Sequence, residues 1–585
     1  MKILLTTLNA TYMHTALSLR YLYSYCKKTF PNIVVQEYTI NQHVNYILGE
    51  IYKGKYDIIG FSCYIWNISP ILQLARNLKK INPHQIIILG GPEVSFDSVK
   101  LMEVHPYIDY IVFGEGEETF KELLNCLINK NTELAHIKGI TYRDKEGVRQ
   151  NEARELIQNL DTIPSPFEEG IQQDERKIIY YESSRGCPYR CSYCISSTIK
   201  GVRFFSLERV KKDLSIFLEK RVRQVKFVDR TFNANKEHSL AIMKYLAEKD
   251  NGYTNFHFEM TGDRIDEEML EFLSGVREGL FQFEIGVQTT YDKCAASIHR
   301  HVDFHKLSHA VKTISGFKNI HLHLDLIAGL PHEGFERFKK SFDDVYRLKP
   351  QQLQLGFLKL LKGSQMRDEK DKYGYIFQDE PPYEVLGNDA ICYEELLKLK
   401  GIEDMLEKYY NSGDFQNALG YILMRFYKSP FEFYHDLAEF WEANGYHHIS
   451  HNRDALYKHL LDFYLQKNFT GRDIFEEILK LDYLMHKKGA VPEFFPRVEM
   501  DDFQNRVHRF LQDKKNVEKY LPQYIEWPAK QIIKRVHFEC FRYDVLEIIK
   551  HSDFKQTDEK INVVLFDYDV EQKIFYKSKC YKVEI

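Results

Sequence analysis

Twice along this chain, short apolar runs of strand character alternate with amphipathic helical stretches. That alternation restricts the fold to α/β layers more tightly than any other feature. In the first instance the runs are KILLTT, IVVQEY, YDIIGFS, QIIILGG and YIVFGEG. Between them the segment Thr15 to Lys28 repeats Leu17, Tyr21, Leu22 and Tyr25 on one helical face, and Ile68 to Leu78 behaves similarly. Strands separated by helices pair in parallel through right-handed crossovers, so the spacing predicts a doubly wound parallel sheet over residues 1–135. In the second instance, over residues 176–362, six runs recur: KIIYYES, VKFVD, NFHFEM, LFQFEIGVQ, HLHLDLIAG and QLQLGFLK. Three of these alternate strictly. Phe281, Phe283, Ile285 and Val287 oppose Gln282, Glu284, Gly286 and Gln288; Leu322, Leu324 and Leu326 oppose His321, His323 and Asp325; Phe256 and Phe258 oppose His257 and Glu259. A closed barrel packs its lumen with branched apolar side chains, whereas the inferred lumen here is polar. It suits an open partial barrel of six strands around a large polar ligand. A half-exposed antiparallel sheet is the competing reading, and the intervening helices argue against it.

The rest of the chain reads differently. A stretch of about 40 residues, 136–175, is expected to be a linker. Beyond Lys362 the charged segment RDEKDKYGYIFQDEPPYEVL ends the βα rhythm, and residues 363–585 are expected to form a mainly helical extension, with helices from Tyr393 to Lys488, closing on strands in VHFECFRYDVL and KINVVLFDYDVEQKIFYKSKCYKVEI. The 80 basic and 84 acidic residues sum to a formal charge of −4, which gives no electrostatic case for a nucleic-acid partner. After Lys2 the apolar run is only three residues, too short for a signal peptide, and no stretch nears the ~18–20 apolar residues that span a bilayer. Ten unevenly placed cysteines are too sparse for a disulfide scaffold. A soluble cytoplasmic protein with no membrane partner is the expectation.

Three cysteines stand together. KIIYYES runs into SRGCPYRCSYC, which sets Cys187, Cys191 and Cys194 in a C-x3-C-x2-C arrangement. Three closely spaced thiolates can hold three irons of a 4Fe-4S cubane and leave the fourth iron open. A structural zinc site is the alternative, but zinc motifs come as paired C-x-x-C units and no second pair is present. With Pro188, Tyr189 and Tyr193 interleaved, the loop resembles the signature of the radical S-adenosylmethionine (SAM) superfamily. The resemblance implies that the amino and carboxylate groups of SAM chelate the open iron, and that one electron from the cluster cleaves the sulfonium to a 5′-deoxyadenosyl radical. It also makes Glu284 and Gln288 candidates for the ribose or amino-acid part of SAM, Asp325 and Gly329 candidates near the adenine, and Tyr193 a ring to pack on adenine. Asp229, at the end of VKFVD, is a candidate substrate or cofactor contact; the usual Gly-Gly-Glu motif of that strand is absent.

In the first sheet, small or polar residues follow the strands: Asn9, Ser62, Gly90, Gly91, Glu93, Gly114, Glu115 and Gly116. Ligands of open α/β sheets sit at these carboxyl ends, and glycine there lets backbone approach a bulky, flat or phosphate-bearing cofactor. Each glycine alone also fits an ordinary tight turn, and GEGEE is not a G-x-G-x-x-G fingerprint. The whole stretch from YDIIGFS to FGEGEETFKELL resembles the flavodoxin-like cobalamin (B12)-binding domain that precedes many radical SAM domains, which makes these eight residues candidate cobalamin contacts. Cobalamin mutases of that fold ligate cobalt through D-x-H-x-x-G, whereas His14, His43, His84 and His105 have Tyr12, Asn41, Asn82 and Glu103 two residues before them. A histidine ligand of that type is therefore not expected. PPYEVL and YYNSG resemble the C-terminal extension of a branch of cobalamin-type radical SAM proteins.

Together these resemblances imply a 4Fe-4S cluster, SAM and cobalamin as cofactors, methyl transfer to an unreactive carbon as the reaction, and a low-potential flavodoxin or ferredoxin as electron donor. A cobalamin-assisted rearrangement or oxidation, a methylthiotransferase and a non-catalytic redox sensor are the alternatives. The methylthiotransferase is disfavoured because no cysteine follows the first strand.

Overall fold

Residues 1–130, 133–168, 177–551, 554, 558–568 and 578–585 are described by the computed structural model. Contacts divide them into two compact units, residues 1–322, 327–334 and 356–392 in the first and residues 323–326, 335–355 and 393–585 in the second.

The first unit begins with β1 (Ile3–Asn9), α1 (Leu17–Cys26), β2 (Ile33–Thr39), α2 (Val44–Lys53), β3 (Ile58–Ser62), α3 (Ile68–Ile81), β4 (Ile86–Gly90), α4 (Ser98–Val104), β5 (Tyr110–Val112) and α5 (Gly116–Ile128). The strands pair in parallel in the order β2-β1-β3-β4-β5. Alternation along each strand sends side chains to opposite faces, and both faces are covered. Leu4, Leu8, Ile59 and Leu89 pack with Ile47, Ile71 and Leu74 of α2 and α3. Ile3, Leu5, Ile58 and Ile88 pack with Leu19, Phe120 and Leu123 of α1 and α5. This is the expected doubly wound sheet. It is larger than expected: β6 (Ile140–Asp144) and β7 (Gly147–Gln150) form a hairpin that adds to β5 antiparallel, so this part of the predicted 136–175 linker belongs to the sheet. The hairpin closes on Gly147 at φ +133°, a turn conformation that glycine adopts without strain. Residues 169–175 of the linker lie outside the described residues.

The second βα series follows as β8 (Ile179–Tyr181), β9 (Ser184–Cys187), β10 (Gly201–Phe204), α6 (Leu207–Glu219), β11 (Gln224–Phe227), α7 (Lys236–Glu248), β12 (Asn255–Met260), α8 (Glu267–Ser274), β13 (Phe281–Gln288), α9 (Asp292–Ser297) and α10 (Phe304–Phe317). β8, β11, β12 and β13 pair in parallel, with Tyr180 beside Lys226, Lys226 beside His257 and Glu259 beside Glu284. The alternation read from sequence appears as burial: Phe281, Phe283, Ile285 and Val287 are buried, while their neighbours Gln282, Glu284, Gly286 and Gln288 are less so. The chain continues the alternation through β14 (His321–Ala328), α11 (Phe335–Tyr346) and β15 (Gln352–Phe357).

The first unit extends to Cys392, beyond the boundary expected at residue 362. Polar ties explain this: Tyr375 donates to the Gly329 carbonyl at 3.1 Å, Asn388 donates to the same oxygen at 2.9 Å, and Tyr383 and Lys362 both engage buried Glu93.

The second unit is mostly helical. Tyr393–Met405, Gln416–Phe426, Pro430–Ala443, Arg453–Gln466 and Arg472–His486 form its larger helices, and Val536–Phe541, Asn562–Asp567 and Lys579–Val583 an antiparallel sheet. The DVL of VHFECFRYDVL instead enters a helix at Val545–Lys550, and residues 569–577 of the final expected strand region lie outside the described residues. Lys480 is fully buried in this unit, 3.6 Å from Glu477 and 3.5 Å from Glu539, and donates to the Cys540 carbonyl at 2.9 Å. Breaking a buried pair from one side leaves an uncompensated charge, at a cost of about 3–5 kcal/mol. Lys480→Met is therefore expected to lower the unfolding free energy by about 3–5 kcal/mol in urea titrations, and the double change Lys480→Met with Glu477→Gln by less.

Candidate active site

The three-cysteine loop is anchored at both ends. β9 carries Cys187 and pairs antiparallel with β10. Their closeness requires glycine at Gly186, where φ is +103° and a Cβ would meet the Gly201 carbonyl oxygen at 2.1 Å. Cys191 is buried and Cys187 and Cys194 are half-buried. The Cys187 sulfur lies 3.5 Å from the Thr231 hydroxyl, and the Ser192 N–H donates to the Ile298 carbonyl at 3.0 Å. Arg300, which the sequence reading missed, donates to the Cys191 sulfur at 3.7 Å and also to the Gly286 carbonyl. Among the described residues it has no carboxylate partner. Burial pushes the Cys191 thiol up, and the Arg300 charge and the Tyr193 hydroxyl pull it back. Tyr193, expected against adenine, thus has its phenol at the Cys191 sulfur.

The other expected contacts divide into engaged and available groups. Asp229 is buried, and its oxygens accept from the Ser183 N–H at 2.9 Å and from the Ser183 and Ser184 hydroxyls at 2.7 and 2.5 Å. It anchors the chain that leads into the cysteine loop. Glu284 accepts from Lys226 at 2.9 Å and lies 3.1 Å from His257 Nε2. Burial works against the Lys226 charge, but Glu284 outweighs it and holds the ammonium above its ordinary value. Gln288 ends β13 at φ +71°, and its buried Oε1 has no hydrogen-bond partner. Asp325 lies 3.0 Å from His323, two residues back on the same strand face. Gly329 has φ +88°.

A cavity of about 740 Å³ opens at the carboxyl ends of the first sheet. Of the eight residues expected there, Asn9, Ser62, Gly90, Gly91, Gly114, Glu115 and Gly116 line it. Glu93 does not: it points to a separate recess and is engaged by Tyr383 and Lys362. The opposite wall comes from the second sheet, with Tyr180, Lys226, Arg230 and Glu259 among its residues. Gly114 has φ +78° and open space where a Cβ would stand. Glu115 is not a free acid: Arg203 donates to it at 2.8 and 3.0 Å, Arg185 at 3.4 Å, and the Ile157 N–H at 2.8 Å. Burial raises its carboxyl, yet these partners together hold it below the ordinary value. Arg185, on β9, also donates to Glu117 at 2.6 Å and Glu182 at 2.9 Å. Its backbone leads to Cys187 two residues on, so the strand that carries the first thiol reaches the cavity through Arg185. His14 lines the cavity too, with Nδ1 hydrogen-bonded to the Tyr180 hydroxyl; burial and then the Lys226 charge lower its pKa.

A doubly wound sheet is followed here by a second βα sheet whose first strand, β8, leads into a three-cysteine loop, the layout of a radical SAM domain behind a B12-type domain. Three family models agree: B12 binding domain over residues 3–124, radical SAM superfamily over 181–345, and a protein of unknown function (DUF4080) over 371–566. The chain is thus a radical SAM protein with a B12-binding domain and a C-terminal extension. It is 31% identical over 313 residues to an uncharacterized methyltransferase of Pyrococcus horikoshii, covering 51% of this chain and 66% of that one. It is 28% identical to the 2-(S-pantetheinyl)-carbapenam-3-carboxylate methyltransferase of Streptantibioticus cattleyicolor, covering 49% of this chain and 44% of that one. It therefore spans less than two thirds of the length of either. Among solved structures, the methyltransferase TsrM of Kitasatospora setae aligns with a TM-score of 0.55 at 16% identity, covering 66% of this chain and 79% of that one. The cobalamin-dependent SAM radical enzyme OxsB aligns with a TM-score of 0.55 at 17% identity, covering 82% and 78%.

Burial pushes the Glu182 carboxyl up to about 6, with Arg185 offsetting only part of the effect. A carboxyl raised above its unfolded value of about 4.3 makes the folded chain take up a proton between the two values. Its contribution to stability is full below about 4.3 and is lost as pH rises through about 6. Stability of Glu182→Gln minus that of the parent is expected to grow across this window in thermal unfolding at stepped pH.

Proposed function

We propose that the chain is a cobalamin-dependent radical SAM enzyme that transfers a methyl group to an unreactive carbon of its substrate. One observation carries this reading: a loop of three thiols, one beside a half-buried arginine that lacks a carboxylate, starts on the strand whose Arg185 lines a 740 Å³ cavity at the ends of a B12-type sheet.

The residues suit the three cofactors. A guanidinium largely shielded from water and without a carboxylate calls for an anion. Arg300, facing Cys191, suits the carboxylate of SAM at the open iron of a 4Fe-4S cluster held by Cys187, Cys191 and Cys194. The unpartnered Gln288 Oε1 asks for a donor, as the amino or ribose groups of SAM offer, and Glu284, Asp325, Gly329 and Tyr193 are the further SAM contacts of this reading. Asn9, Ser62, Gly90, Gly91, Gly114 and Gly116 make the cobalamin floor, where the missing Cβ of Gly114 leaves room for a flat ring. Glu93 and Asp229 have no cofactor role in it, and Glu115 acts by holding Arg185 and Arg203. When bound, the cluster and SAM supply a 5′-deoxyadenosyl radical and cobalamin supplies the methyl group. The protein's part is to hold SAM by its carboxylate, orient it and seal the cluster side from water. A low-potential flavodoxin or ferredoxin is the electron donor. No helix among the described residues is long and apolar enough to cross a membrane; a reduced cluster held by cysteine thiolates suits the reducing cytoplasm.

Anaerobic reconstitution is expected to give about four irons per chain and 5′-deoxyadenosine on reduction with dithionite, and Cys191→Ala to abolish both. Deuterated methyl should pass from labelled SAM to product; cleavage without methyl transfer would favour rearrangement or oxidation. Charge-assisted hydrogen bonds contribute about 1.5–3 kcal/mol. Arg300→Gln is therefore expected to weaken SAM binding by about 10- to 100-fold in equilibrium dialysis while iron content is kept.

A further inference from the structure

The histidine pattern of the sequence argued against a cobalt-ligating imidazole, yet one imidazole stands in the wall of the cavity. Among its described lining residues His14 is the sole imidazole, the wall holds neither cysteine nor methionine, and Glu115, Glu117 and Glu182 are taken up by Arg185, while the nitrogens of Asn9 and Trp66 have no lone pair to offer a metal.

His14 belongs to the connection between β1 and α1, a strap pinned on both sides of the ring. The Ile178 N–H donates to the Met13 carbonyl at 2.9 Å, and the Thr15 hydroxyl donates to the Ile178 carbonyl at 3.2 Å. At its ends, Glu37 accepts from Asn9 at 2.7 Å and from the Ala16 N–H at 2.9 Å, while Asn9 also donates to the His14 carbonyl at 3.1 Å. The ring itself is tied at Nδ1 to the Tyr180 hydroxyl, and among the described residues Nε2 has no hydrogen-bond partner. A strap this constrained, with one ring nitrogen engaged and the other spare, is how proteins prepare a metal-ligating histidine: the second-shell partner of one nitrogen fixes the tautomer and the ring orientation.

Resting on the cobalamin reading above, we infer that His14 ligates the cobalt of bound cobalamin through Nε2, with Nδ1–H donating to the Tyr180 oxygen. In that tautomer Nε2 already carries a lone pair, so no proton leaves. The Nε2–cobalt bond forms as the bond from cobalt to its benzimidazole nitrogen or to water breaks, and the benzimidazole stays tethered to the corrin. The D-x-H-x-x-G spacing is then one way of presenting an imidazole to cobalt, and the strap held by Ile178 and Glu37 is another.

The test uses the full chain grown on nitrogen-15 and loaded anaerobically with unlabelled hydroxocobalamin, then reduced to the cobalt(II) state for electron paramagnetic resonance. Cobalamin retained through gel filtration, with cobalt lines split into doublets, identifies a protein nitrogen on the metal and is the expected result. His14→Ala should retain bound cobalamin and lose the doublets. Triplets in the labelled parent would assign the ligand to the benzimidazole, unsplit lines would assign it to water or to nothing, and doublets that persist in His14→Ala would assign it elsewhere in the chain; each overturns the inference and leaves the cobalamin reading intact. Loss of cobalamin from the parent on gel filtration would overturn both. The parent spectrum decides without the variant, so a folding defect in His14→Ala does not obscure it.

Discussion

Arg185 is the interaction on which the candidate site depends. Its guanidinium meets three carboxylates, Glu115, Glu117 and Glu182, in a setting that is mostly shielded from water. Glu115 and Glu117 come from the turn and first residues after β5, whereas Arg185 is on β9, two residues before Cys187. A single side chain thereby couples the end of the first sheet to the start of the cysteine loop. Charges this shielded must be satisfied in one geometry, so the pairing sets register between the two sheets as well as adding attraction. Glu115 extends the network to Arg203 on β10, so both strands of the hairpin that presents Cys187 are held to the same carboxylate.

The same reasoning separates groups that build the site from groups left for ligands. Asp229 spends both oxygens on Ser183 and Ser184, and Glu93 is enclosed by Tyr383 and Lys362. Arg300, the Gln288 carbonyl and the Nε2 of His14 lack the protein partner that their chemistry calls for. Polar groups inside folded proteins are almost always satisfied, so incomplete ones are candidate contacts for small molecules; of these three, His14 lines the cavity and Arg300 and Gln288 lie on the side of Cys191 and β13.

Much of this was legible from residue order. The period-2 pattern of FQFEIGVQ is visible as alternating burial on β13, and the strand-end residues named in the first sheet, Glu93 excepted, line the cavity, because alternation and strand-end position are local properties. What was missed is long-range. Arg300 looks like one more charged residue in HRHV, and only folding brings it to Cys191, 109 residues earlier. The linker reading failed over residues 140–150 because a short hairpin carries little periodic signal, and its place on β5 is a pairing choice made between distant segments.

The sequence by itself determined the class of fold, the three thiols and the polar strand faces, since periodicity, spacing and residue chemistry are written in neighbouring positions. Only the tertiary structure decided which polar groups are consumed by the protein and which remain for ligands: that Glu93 and Asp229 are enclosed, that Glu115 serves two arginines, and that His14 faces the cavity without the motif that would have announced it. The reason is physical. A side chain's availability depends on what approaches it from elsewhere in the chain, and burial with an opposite charge or a hydroxyl turns the same residue from a ligand into a strut.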